Sequence, residues 1–164
     1  MPANVKAVPT VVVDIFKEQY PNVMVRGWFV THISYWQQDI SSGWYTDWYG
    51  NSRRNVVVYT YEKPNHYEVE FIDQFGLLSR AVYNRYGYWH ETRSQLKGLP
   101  MVCINSLAES KYADWKRSAM SERIETADWP DPVYRFGMSK GWRYHIVKMN
   151  EMGEIVQVKY LDEE

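Results

Sequence analysis

Val8-Pro9-Thr10-Val11-Val12-Val13-Asp14-Ile15-Phe16 returns late in the chain as Leu99-Pro100-Met101-Val102-Cys103-Ile104-Asn105-Ser106-Leu107. Each copy is an apolar residue, a proline and an apolar-rich stretch that ends near an aromatic, Tyr20 in one and Tyr112 in the other. Proline is tolerated at the start of a helix, where its missing N–H would be unpaired anyway. Val8, Val12, Ile15, Phe16 and Tyr20 recur at helical spacing, as do Cys103, Ile104, Leu107, Ala108 and Tyr112. Both segments therefore read as short amphipathic helices with one buried stripe. Val11-Val12-Val13 taken alone favours a strand, and the parallel with the second copy overrules it.

Working outward, Tyr20-Pro21-Asn22 and Tyr112-Ala113-Asp114 are turn signals after the helices, and Pro21 stops the first one. Extended segments follow over Val23–Ile33 and Trp115–Glu125. Tyr83-Asn84-Arg85-Tyr86-Gly87 matches Met149-Asn150-Glu151-Met152-Gly153. An Asn and a Gly at this spacing between apolar runs mark a hairpin. Strands are expected before these turns, over Leu77–Tyr83 and Trp142–Met149. They are expected after them as well, over Tyr88–His90 and Glu154–Tyr160. His66–Ile72 alternates Tyr67, Val69 and Phe71 against His66, Glu68 and Glu70, the pattern of a half-buried strand, with Val133–Met138 as its counterpart.

The expected fold class is α+β: two tandem repeats, each a helix followed by an antiparallel meander, forming one layered sheet with the helices on one face. The first repeat covers residues 1–96, with an aromatic insertion near 34–55. The second covers 97–164, and the two pack as a single domain. The sheet face without helices is then left open for binding.

Composition narrows the function. A hydrophobic fraction of 45% is enough to build a core, and an aromatic fraction of 16% favours both strands and contact surfaces. The formal charge of −1 is spread without a Lys/Arg block, which disfavours nucleic acid as a partner. No apolar run approaches the roughly 20 residues of a membrane span. Met1-Pro2-Ala3-Asn4-Val5-Lys6 does not read as a secretory signal. The chain is thus expected to be cytoplasmic if Met1 is the native start, or to have lost a leader ahead of this numbering.

In order and twice over, these features resemble the PepSY-like, beta-lactamase-inhibitor-protein-like family of small Bacteroidota domains. The residues that carry the resemblance are Val8-Pro9, Phe16, Tyr20-Pro21, Trp28, Tyr67 to Phe71, Asn84 with Gly87, and Trp89 in the first copy. Leu99-Pro100, Ile104, Leu107, Tyr112, Trp142-Arg143-Tyr144 and Gly153 carry it in the second. The resemblance covers nearly the whole chain outside the insertion. It implies a periplasmic or secreted location, and the binding of a protein partner with an inhibitory or regulatory outcome.

Catalytic and metal chemistry find no support in the spacing. His32, His66, His90 and His145 are scattered, and none sits at metal-ligand spacing. His66 and Glu68 share a strand face, as do Glu68 and Glu70, where cross-strand Lys or Arg would neutralise the acids. Asp14 and Glu18 lie one helical turn apart, the pattern of a solvated helix face. Cys103 falls on the apolar stripe of its helix, so it reads as core. There is no G-x-S-x-G and no phosphate-cradling glycine loop. The reading is non-catalytic, with no cofactor and no metal.

The insertion supplies the candidate contact residues. Tyr35, Trp36, Trp44, Tyr45, Trp48 and Tyr49 stand among Ser, Gly, Asp and Gln, with Arg53 and Arg54 just beyond. That mixture resembles antibody contact loops, and Trp and Tyr are the usual hot-spot residues. The alternative is a long hairpin whose aromatics stack across strands and cover the core. Trp129, within Thr126-Ala127-Asp128-Trp129-Pro130-Asp131-Pro132, is either a lid on the core or a presented side chain. The expected function is a protein-binding module of unknown partner. The alternative is a small-molecule or glycan receptor that uses exposed Trp and Tyr.

Overall fold

Both proline-led segments are helical: α1 spans Thr10–Gln19 and α2 spans Met101–Ala108. The structure is a computed structural model and describes residues 2–3, 7–31, 33 and 66–161. Pro9 and Pro100 occupy the N-cap positions with extended backbone. Their carbonyls accept the first helical N–H groups, Val12 and Val13 at 3.0 and 3.3 Å, Cys103 and Ile104 at 3.0 and 3.1 Å. A proline there gives up no hydrogen bond, because its own N–H would point out of the helix. At the other end of α1, Tyr20 leaves helical geometry at φ −130°, as a residue before proline is driven to do.

The described residues divide into two compact units, Met1–Ser94 with Thr126–Asp128, and Gln95–Glu125 with Trp129–Glu164. In the first, β1 (Pro2–Ala3), β2 (Met24–Thr31), β3 (His66–Ile72), β4 (Leu78–Asn84) and β5 (Trp89–Leu96) pair antiparallel in chain order. In the second, β6 (Lys116–Thr126), β7 (Val133–Lys140), β8 (Arg143–Asn150) and β9 (Ile155–Tyr160) do the same. The insertion expected near 34–55 lies outside the described residues.

The fold is mainly β, which corrects the α+β class of two tandem helix-plus-meander repeats read from the sequence. Among the described residues nine strands stand against two helices of 10 and 8 residues. The helical periodicity is real but short. It buries two positions on each helix, Val12 and Phe16 on α1, Cys103 and Leu107 on α2. Strands make up most of the other described segments, so the strands and not the helices set the class.

Phe16 is the hub of the first core. Its ring lies 5.5 Å from Trp28, 5.2 Å from Phe71 and 6.4 Å from Tyr83, each edge to face. This is the geometry that ring quadrupoles favour. Val8, Val12, Val69 and Ala81 fill the space around it. The polar tips at the border are paired: the Tyr83 hydroxyl donates to Gln19 Oε1 at 2.8 Å, and Trp89 Nε1 donates to Thr92 Oγ1 at 2.8 Å. Burial pushes the Tyr83 phenol well above its ordinary pKa. The second core gathers Cys103, Leu107, Tyr112, Tyr134, Phe136, Met138, Val147 and Met149.

Each helix is pressed by a glycine turn. Gly87 and Gly153 have φ of +89° and +83°, a region open to glycine and costly for other residues. A Cβ on Gly87 would collide with the Ile15 Cδ1 methyl. A Cβ on Gly153 would lie 2.9 Å from both Ser106 Cβ and the Val102 carbonyl oxygen. Asn84 Oδ1 accepts from the N–H groups of Tyr86 and Tyr88, both at 2.9 Å, and Asn150 Oδ1 accepts from those of Met152 and Glu154. Asn thus holds the turn from its start and Gly lets it lie on the helix. We expect Gly153→Ala to cost about 2–4 kcal/mol, because backbone blocks the new methyl. Gly87→Ala, facing a movable side-chain tip, should cost roughly 1–2 kcal/mol. Urea denaturation of the two variants checks the order; equal losses would mean that φ strain alone decides.

Candidate functional site

The β4–β5 turn and the strand ends beside it bring together the most unusual side chains of the first unit. The Asn84 cap fixes the turn backbone, so Arg85, Tyr86 and Tyr88 are presented from a rigid loop. Tyr86 is 70% exposed, and its ring lies under the Arg85 guanidinium at 4.8 Å. Beyond the turn the register slips. Val82 pairs with Glu91 but Tyr83 pairs with Trp89, which leaves His90 as the extra residue of a bulge. A bulge re-aims the side chain it carries.

His90 is aimed at His66, the first residue of β3, which pairs with Thr31 on one side and Asn84 on the other. The two Nε2 atoms stand 3.1 Å apart. Tyr88 meets the His90 ring edge to face at 4.7 Å. The Ala127 N–H donates to the His90 carbonyl at 3.0 Å, anchoring the bulge from its backbone side. Burial lowers the pKa of His90, against the opposing pull of the Asp128 and Glu91 carboxylates.

The sheet face turned away from α1 carries charge, and it is not bare. Glu68 and Arg93 are each 1% exposed there, with Arg80 and Val82 also buried. Arg80 lies between Glu68 and Glu70 at 3.8 and 3.7 Å, and Arg93 Nε meets Glu91 at 2.8 Å. The paired acids of β3 therefore share one cross-strand arginine, which is a structural use of the charges. The second unit has its own buried pair, Arg135 to Glu122 at 2.6 Å. The expectation of an open, binding-ready face does not hold for this charged layer.

The other singled-out residues fall as follows. Asp14 and Glu18 are both exposed on α1, as a solvated helix face requires. Cys103 is fully buried, its Sγ 3.7 Å from the Asn150 carbonyl oxygen, and burial raises its pKa. His145 is buried in the second unit, with Tyr112 OH 2.9 Å from its Nδ1. Trp129 is 58% exposed. Tyr35, Trp36, Trp44, Tyr45, Trp48 and Tyr49 lie outside the described residues, as does His32. Sequence reasoning missed the meeting of His66 with His90. The bulge breaks the alternation that would have placed them, and no spacing rule spans that separation.

No protein-family model and no curated relative matches the sequence. Solved structures do. A DUF2874 family protein from Bacteroides ovatus shares 15% identity at a TM-score of 0.64, over 96% of this chain and 90% of its own. A BLIP-like protein from Bacteroides fragilis shares 15% identity at a TM-score of 0.66, over 96% of this chain and 89% of its own. A candidate periplasmic protein from Bacteroides eggerthii shares 14% identity at a TM-score of 0.61, over 94% of this chain and 90% of its own. At such identities the likeness is one of fold. It bears out the beta-lactamase-inhibitor-protein-like resemblance at that level, and the PepSY-like part of the resemblance finds no support in it. Among the described residues no helix is long and apolar enough to cross a membrane.

The His90 shift sets a pH dependence. An unfolded histidine takes up its proton near pH 6.5, and the folded His90 does so lower. Its contribution to stability is therefore complete above about pH 6.5 and is lost as pH falls toward the folded pKa. Urea midpoints measured with chelator present should drop from about pH 7.5 to about pH 5, and the drop should shrink in His90→Gln. An identical drop in the variant would assign the effect to other groups.

Proposed function

We propose that the chain is a non-catalytic protein-binding module that meets its partner through aromatic side chains presented on rigid turns. The observation that carries this reading is the exposure of Tyr86, Trp129 and Trp142, at 70%, 58% and 78%, beside well-filled cores. Exposed Trp and Tyr are the residue types that dominate binding hot spots. Two of their turns have a defined local geometry. Asn84 caps the turn beneath Tyr86, and Trp142 follows Gly141 at φ +61° in the β7–β8 turn. A fixed backbone lowers the entropic cost of association.

The fold likeness to a BLIP-like protein supports the same reading. The proposal extends to Tyr35, Trp36, Trp44, Tyr45, Trp48 and Tyr49 on their contact-loop composition. The likeness to a candidate periplasmic protein favours work outside the cytoplasm, where inhibition or regulation of the partner would take place.

The test replaces Tyr86, Trp129 and Trp142 by Ala, singly and together, in the full chain. Each single variant should keep its stability within about 0.5 kcal/mol, as exposed positions do. A partner captured by the unaltered chain should bind at least one of them about 30-fold more weakly, the mark of a hot spot. Equal binding by the triple variant would remove these aromatics from the interface.

A further inference from the structure

Two imidazoles that meet nitrogen to nitrogen admit two chemistries, a shared proton or a shared metal ion. We propose that His66 and His90 form a two-histidine site for a divalent transition-metal ion of the zinc class, bound through both Nε2 atoms.

Distance comes first. Ligand nitrogens about 2.0–2.1 Å from a tetrahedral zinc stand roughly 3.3 Å from each other. The Nε2···Nε2 separation is 3.1 Å, so an ion enters with a shift of a few tenths of an ångström. Rigidity comes second. His66 is held in β3 between Thr31 and Asn84, and the His90 backbone is held by the Ala127 N–H. Both ligands are in place before the ion arrives, which reduces the ordering cost of binding.

Electrostatics comes third. The carboxylates of Asp128 and Glu91 pull toward a cation at His90, against the larger effect of burial, and Glu91 is shared with Arg93. Among the described residues no third His, Cys, Asp or Glu completes a ligand set. Two imidazole ligands favour ions such as zinc, nickel and copper over magnesium or calcium.

The experiment uses the full chain, stripped with chelator and titrated with Zn2+ at neutral pH. Heat is read by calorimetry and the imidazole nitrogens by long-range 15N correlation spectra. Binding of one ion should shift the Nε2 resonances of His66 and His90 together. His66→Gln and His90→Gln should each weaken binding more than tenfold, since even an outer-shell partner is worth roughly 10- to 100-fold. Should a variant fail to fold, the spectra of the unaltered chain still decide the matter. Magnesium at the same concentration should leave both resonances in place. The proposal is overturned if zinc moves neither imidazole, if it moves other groups instead, or if both variants bind as before. Any of these results would leave the contact as an ordinary N–H···N hydrogen bond.

Discussion

In both units the arrangement depends on a backbone turn lying directly against a short helix. Gly87 lies against Val11 and Ile15 of α1, and Gly153 against Val102 and Ser106 of α2. A helix of 8 or 10 residues has little stability of its own. It persists because its buried stripe and this contact hold it from two sides. Ser106 Oγ donates to the Gly153 carbonyl at 2.5 Å, which adds a polar tie that a bulkier turn residue would displace. Gly87 and Gly153 sit between consecutive strands, so the same residues close the hairpins and seat the helices. Packing and strand pairing are thereby coupled at two positions.

The charged layer works by a different balance. Burying Glu68, Arg80 and Arg93 carries a desolvation cost of several kcal/mol per ion, which pairing offsets only when geometry is good. Glu70 pairs directly with Arg80 across β3 and β4, which brings the guanidinium to 3.7–3.8 Å from both acids, and the Phe29 ring lies 5.8 Å from the same guanidinium. A side chain committed to two carboxylates and an aromatic face is poorly placed for chemistry. The charges specify one strand register, since a slip of one residue would send Arg80 to the apolar side.

What the sequence disclosed follows from how local each signal is. The Asn-x-x-Gly turns were readable because both residues act within five positions, and strand β3 was readable because its sequence alternates unbroken over residues 66–71. Asp73 holds an equivalent turn, its Oδ1 accepting from the N–H groups of Phe75 and Leu77 in the same way. Asp does the work of Asn there, and this turn has no counterpart in the repeated Asn-x-x-Gly signal. The fold class was misjudged because a proline-led apolar stripe announces a helix strongly whatever its length. The histidine meeting was hidden for the opposite reason. It depends on a bulge in β5 and on β3 and β5 flanking β4, neither of which leaves a periodic trace.

The distribution of aromatics ties these levels together. Phe16, Trp28, Phe71 and Tyr83 are consumed by the first core, while Tyr86 and Tyr88 lie just past the end of β4, where the chain turns away from it. The boundary falls at Asn84, whose side chain closes the turn and separates inward-facing Tyr83 from outward-facing Tyr86. Composition counts such rings alike, yet a displacement of three residues moves a ring from 0% to 70% exposure. The solvent-facing rings inherit their rigidity from the buried ones, because the turn that carries them is seated on the helix that Phe16 anchors. A surface built this way is ordered by the core beneath it, and changes to that core reach the surface through Gly87.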